Sequence, residues 1–174
     1  MLTLLVLRHA KPENTAASGR DYDRPLSGPG KQDAALIGRY LASIDLRPES
    51  VVTSSALRAR STAEIASEAG AWQCPIRVAD SLYDTVPGVA LEQIQAEPDT
   101  TKVLLLSGHE PTWSALVSLL VGGGVLRFSA GTLACIEFHG EHWSDIEPAR
   151  GQLAWLLPPS SLGAASLGAK DPAK

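Results

Sequence analysis

Leu2 to Leu7 is a short, continuous apolar run that ends abruptly at Arg8-His9, and it constrains the fold more than any other feature of the chain. A run of this length, apolar on both alternating faces, suits a strand covered on both sides, as in a parallel sheet flanked by helices. Val51-Val52-Thr53-Ser54 repeats the plan and leads into Ala56 to Ala69, a helix-forming stretch that Gly70 is expected to stop. Val103-Leu104-Leu105-Leu106-Ser107 repeats it again and ends at Gly108-His109. Between the first two runs, Ser27 is a candidate N-cap. Ala34, Ala35, Ile37, Gly38 and Leu41 mark the apolar stripe of the helix that follows it.

The remaining signals continue the alternation: a weak strand at Ile76-Arg77-Val78, a helix around Val89 to Ala96, and a helix from Thr112 to Val121 that halts at Gly122-Gly123-Gly124. Leu133 to Phe138 and Leu153 to Leu157 read as late, edge-side strands. This order implies an α/β fold, a three-layer α/β/α sandwich with a mostly parallel central sheet. With 174 residues, 44% of them hydrophobic, one domain over residues 1–157 is expected. Residues 158–174 hold few large apolar side chains, too few to offset the entropy of ordering, so a flexible tail is expected there.

Composition narrows the function classes. Fifteen Lys plus Arg against nineteen Asp plus Glu give a formal charge of −4, so no overall basic field exists to attract nucleic acid or an anionic membrane. Any anion site must be local. The apolar start lacks a basic flank and reaches Arg8 too soon for a signal peptide or a membrane span, and a cytoplasmic protein is expected. Cys74 and Cys135 form no CxxC pair, and no Cys/His cluster has zinc-ligand spacing, so neither a disulfide framework nor a metal site is expected. Neither a Walker-type phosphate loop nor a GxGxxG after a strand occurs, and no cofactor is expected.

In an open parallel sheet, ligands collect beyond the carboxyl ends of the strands. Three such ends carry Arg8-His9, the segment Ser54 to Arg58, and His109. Arginine offers a planar, permanently charged fork that grips two phosphate oxygens, which suits Arg8 and Arg58. A neutral imidazole is a competent nucleophile toward phosphorus, and a covalent intermediate divides one hard displacement into two easier ones. On chemistry alone either His9 or His109 could attack.

These residues also carry a family likeness. Leu7-Arg8-His9-Ala10 resembles the Arg-His-Gly signature of the histidine phosphatase superfamily, with alanine in place of the glycine. The resemblance continues through Arg24-Pro25-Leu26-Ser27 with Gly30 and Gln32, through Ser54-Ser55-Ala56-Leu57-Arg58-Ala59 with Thr62-Ala63, and through Ser107-Gly108-His109-Glu110-Pro111. The short chain looks most like the SixA-type phosphohistidine phosphatases of that superfamily. The resemblance implies a phosphoglycerate mutase-like fold and a metal-independent phosphatase. In it His9 would be the nucleophile, and Arg8, Arg58 and His109 would bind the phosphoryl group and complete the catalytic pocket. For a proton donor it offers Asp84, in the region where many members place an acid, or Glu110, which follows His109 as the acid does in the acid-phosphatase branch; Asp84 is favoured. The nitrogen leaving group of a phosphohistidine departs more readily than an alkoxide and makes such an acid optional.

Other conspicuous residues have plainer readings. Arg24 is expected to be solvated or paired with Asp21 or Asp23, Arg60 to be on the surface, and Trp113 to be core. His139 and His142 read as loop residues, and Ser54 and Ser55 lack the surroundings of a hydrolase nucleophile. The substrate is expected to be a phosphorylated small molecule or a phosphohistidine-bearing protein. The rival readings are a phosphomutase and a non-catalytic phosphate-binding module, toward which Ala10 points slightly by placing a methyl where the family's backbone approaches phosphate.

Overall fold

The computed structural model describes residues 1–162. Its strands are β1 (Leu2–Arg8), β2 (Ser50–Ser54), β3 (Ile76–Ala79), β4 (Val103–Gly108), β5 (Leu133–Phe138) and β6 (Gln152–Leu157). The helices are α1 (Gly28–Ser43), α2 (Leu57–Gly70), α3 (Pro87–Gln95) and α4 (Thr112–Val121). The strands form one six-stranded sheet in the order β3-β2-β4-β1-β5-β6. β3, β2, β4 and β1 are mutually parallel, whereas β5 runs antiparallel to both β1 and β6.

The unbroken apolar character of β1 follows from its place inside the sheet. Leu5 and Leu7 face a core built with Ile37 and Leu41 of α1 and Ala63 and Ala66 of α2. Leu4 and Val6 face the opposite core, with Ile94 of α3 and Trp113, Leu116 and Leu120 of α4. The strand's two-residue period thus feeds two cores at once. Truncating one of these fully buried leucines to alanine would cost about 2–5 kcal/mol. α1 and α2 touch at Gly38, where a β-carbon would sit 2.0 Å from the carbonyl oxygen of Ala66.

Two local expectations change. The left-handed stop after α2 falls on Ala71, at φ 51°, and Gly70 is the last helical residue. The ordered chain also runs past residue 157: Pro159–Leu162 forms a short 3-10 turn with Pro159 and Leu162 buried, Leu162 joining the core under α1. Residues 163–174 of the expected tail lie outside the described residues. Among the described residues no helix is long and apolar enough to cross a membrane.

This topology makes β2, β4 and β1 three successive strands, so their carboxyl ends meet along one edge. The antiparallel β5 starts at that same edge, since Leu133 is in register with Leu7.

Candidate active site

His9 lies one residue beyond β1 and is 7% exposed. Its backbone is held on both sides: the amide donates to the Gly108 carbonyl (2.9 Å), and the carbonyl accepts from the Gly131 amide (3.0 Å). Its Nδ1 lies 2.8 Å from the Ala10 carbonyl oxygen, an acceptor only, so Nδ1 carries the proton and Nε2 keeps its lone pair. That lone pair receives the Nε–H of Arg58 at 3.3 Å. Arg58 projects from the first turn of α2 and is likewise 7% exposed.

His109 follows β4 and stands beside His9, the ring centroids 5.1 Å apart. Its Nε2 is 2.8 Å from the Ser54 hydroxyl at the end of β2. Arg8 closes the group, with Nη1 donating to the Phe128 carbonyl at 2.5 Å. Two polar atoms of this cluster, Arg8 Nε and His109 Nδ1, are buried with no hydrogen-bond partner among the described residues. Tyr83 packs edge-on against His109, and Tyr22 packs edge-on against Tyr83.

Burial dominates the electrostatics. It lowers His9 from the usual 6.5 to about 4; the bond to the Ala10 carbonyl opposes the shift, and Arg58, Arg8 and Arg24 add to it. His109 is lowered to about 3 by burial first, then by His9 and Arg58. Both rings are therefore neutral near pH 7. Burial also lowers the Arg8 guanidinium from its ordinary value, against the opposing charge of Glu110. The cluster offers one imidazole lone pair surrounded by N–H donors, an arrangement suited to a tetrahedral oxyanion.

Residues 4–97 match the family profile described as the Histidine phosphatase superfamily (branch 1). The chain belongs to this superfamily. The uncharacterized protein Rv1276c of Mycobacterium tuberculosis (strain ATCC 25618 / H37Rv) is 35% identical over 156 residues, covering 82% of this chain and 92% of the relative. Among solved structures, a Nakamurella multipartitia protein provisionally named phosphohistidine phosphatase SixA superposes with a TM-score of 0.80 at 29% identity, over 91% of this chain and 96% of that one. The protein histidine phosphatase SixA complexed with tungstate also superposes at 0.80, with 23% identity over 92% and 99% of the two chains, a likeness of fold. The architecture is thus the phosphoglycerate mutase-like one of these SixA structures.

Within this member of the superfamily, Arg8, His9, Arg58 and His109 come together as one cluster, and neither carboxyl proposed as a donor makes a hydrogen bond or ion pair with it. Asp84 is exposed, with backbone φ 50°, and its carboxyl bonds no residue of the cluster. Glu110 spends both oxygens on Ser114, accepting from its amide at 2.8 Å and its hydroxyl at 2.6 Å, and so caps the start of α4. Ala10 turns its methyl into a small buried group with Leu26 and Ala34, and its amide donates to the Thr62 hydroxyl at 3.0 Å. The methyl that distinguishes this chain from the Arg-His-Gly signature is therefore core packing.

Sequence reasoning missed four contributors. Ser54 orients His109, and Thr62, one helical turn after Arg58, orients the Ala10 amide. Phe128 supplies a backbone carbonyl that no side-chain motif could announce. Asp21 was considered only as a partner of Arg24, which it is at 2.9 Å, yet its other carboxylate oxygen pairs with Arg58 at 2.9 Å. The family resemblance runs through Ser54 and Thr62 without giving them a role, and the i, i+4 spacing of Arg58 and Thr62 is a further signal. Arg60 lies at the surface beside Glu64, and Trp113 is fully buried, donating to the Leu7 carbonyl at 2.9 Å.

Proposed function

We propose that this chain is a metal-independent phosphatase in which His9 attacks phosphorus and transiently carries the phosphoryl group. The observation that carries the reading is the state of His9: neutral, with Nδ1–H engaged by the Ala10 carbonyl and the Nε2 lone pair turned into the cluster, where the 3.3 Å contact from Arg58 Nε–H has to yield to phosphorus. Arg8, Arg58 and His109 would bind the equatorial oxygens. The buried, unpartnered Arg8 Nε and His109 Nδ1 are donors such an oxyanion would satisfy, with Ser54 donating to His109 Nε2 so that Nδ1 keeps its proton. In the first step Nε2 bonds to phosphorus while the bond to the leaving group breaks, its electron pair departing with the leaving group. The Nδ1–H bond to Ala10 supports the positive charge that develops on the ring. In the second step water attacks phosphorus, the P–Nε2 bond returns its electron pair to His9, and orthophosphate leaves. Charge in such a transfer spreads over the oxygens, so fixed donors supply most of the catalysis.

The substrate we infer is a protein phosphohistidine or a phosphomonoester with a good leaving group. Neither Asp84, exposed and unengaged, nor Glu110, engaged with Ser114, is held against the cluster as an acid would be for an alkoxide. Asp84 remains our assignment for a proton donor where one is needed, since its neighbour Tyr83 packs on His109. Hydrolysis of p-nitrophenyl phosphate and of a phosphohistidine protein, with EDTA present, tests the reading in the parent, His9→Ala and His9→Asn. Turnover by the parent that both variants lose supports it. An inert parent, or turnover that survives in the variants, overturns it.

A further inference from the structure

Arg58 is committed to more than His9. Of the five N–H groups of its guanidinium, Nε meets His9 Nε2, Nη1 donates to the Asp21 carbonyl at 2.8 Å, and Nη2 pairs with Asp21 Oδ2 at 2.9 Å. Asp21 itself is fastened from several sides: Oδ1 to Arg24 at 2.9 Å, and Oδ2 within 3.4 Å of the Tyr83 hydroxyl. The bond from Arg24, with the charge of Arg58 added, holds its carboxyl below the usual carboxylate range, so it stays an anion at any working pH. A fixed negative charge thus sits on the cation expected to grip phosphate.

Resting on the phosphatase reading above, we propose that Asp21 is a built-in competitor at the phosphate site: its carboxylate weakens the hold of Arg58 on dianionic oxyanions and so hastens release of orthophosphate. Two arginines and a histidine converging on one small dianion would otherwise retain product. Repulsion from Asp21 scales with the charge of the bound anion, so it acts about twice as strongly on a dianion as on a monoanion of the same shape. The Asp21 side chain is 53% exposed, which screens the effect to a modest factor. The opposite role, a strut that merely aims Arg58, makes the contrary prediction, because losing a strut weakens anion binding.

The experiment is calorimetric titration of the full chain, with no turnover, using tungstate (a tetrahedral dianion), perrhenate (a tetrahedral monoanion) and orthophosphate. Asp21→Asn removes the charge and keeps one of the two oxygens that serve Arg24 and Arg58; Asp21→Ser removes it and keeps one shorter acceptor, and in both the residue-21 backbone carbonyl still accepts from Arg58. The expected result is that tungstate and orthophosphate bind about threefold to tenfold tighter to both variants, with a smaller gain for perrhenate. Unchanged or weaker tungstate binding, or equal gains for tungstate and perrhenate, overturns the proposal. A parent that binds none of the three oxyanions overturns the phosphate-site reading and this one with it, whereas parent binding without the gain removes only the role of Asp21.

Discussion

The two edges of the sheet each carry a pair of histidines near arginine and carboxylate, and burial sets His9 and His109 apart from His142. At the carboxyl edge of β1 and β4, His9 and His109 are lowered to about 4 and about 3, chiefly by burial. At the opposite edge, where Phe138 ends β5 in register with Leu2, an open pocket is lined by His139, His142, Asp145, Glu147 and Arg150. There the exposed His142 is raised instead, by its 2.7 Å bond to the Asp99 carboxylate. Burial among arginines favours a neutral ring with a lone pair to give, and exposure beside a carboxylate favours the protonated ring. The contrast explains why we place the chemistry at the carboxyl edge and not in this pocket.

The comparison can be broken or sharpened in order of expected effect. His9→Asn should lower kcat/KM for p-nitrophenyl phosphate by about 10⁴-fold or more, as loss of a nucleophile does, while His142→Ala leaves it unchanged. Equal losses in a steady-state assay would erase the distinction between the edges. Arg58→Ala should cost about 10²–10³ in kcat, and a smaller loss would show that Arg8 and His109 hold the transferring group unaided. Asp84→Asn should reduce turnover of an alkyl phosphate about tenfold or more and leave phosphohistidine and aryl phosphates within about threefold. A uniform loss across leaving groups would make Asp84 something other than a proton donor.

The smallest effect is read by titrating the histidine ring signals in NMR. His9 and His109 should stay neutral down to pH 5, and His142 should hold its proton above the ordinary value. The sign for stability follows. From about 6.5 down to about 4 for His9 and about 3 for His109, the unfolded chain takes up protons that the buried rings refuse, so stability is lost as pH falls through that window. The contribution of His142 runs the other way, present at low pH and lost as pH rises through its raised value.

The sheet and its candidate catalytic edge were legible because they rest on local signals. Continuous apolar runs announced β1, β2 and β4, and each ended at the residues that the topology then gathers, Arg8-His9, Ser54 to Arg58, and His109. Ser27 caps α1 as its residue type suggested, accepting from the Gly30 amide at 3.1 Å. What escaped depends on partners distant in the chain. Asp21 and Arg58, or His142 and Asp99, are joined only by the fold, and composition-based reasoning about a polar loop cannot pair them. The 3-10 turn at Pro159–Leu162 was hidden for the same reason, since its buried Leu162 finds its apolar partners on α1 and not nearby in the sequence. Gly108, whose lack of a β-carbon leaves room for the Trp113 ring (2.6 Å from where one would sit), is likewise intelligible only in three dimensions.

The central claim is that phosphorus passes through His9. Mixing the protein with p-nitrophenyl phosphate, quenching in alkaline denaturant where phosphohistidine survives, and mapping the phosphoryl group by mass spectrometry of the digest tests it directly. The account predicts the group on His9, absent from His9→Asn; turnover with the group on His109, or with none on His9 at any quench time, would contradict it.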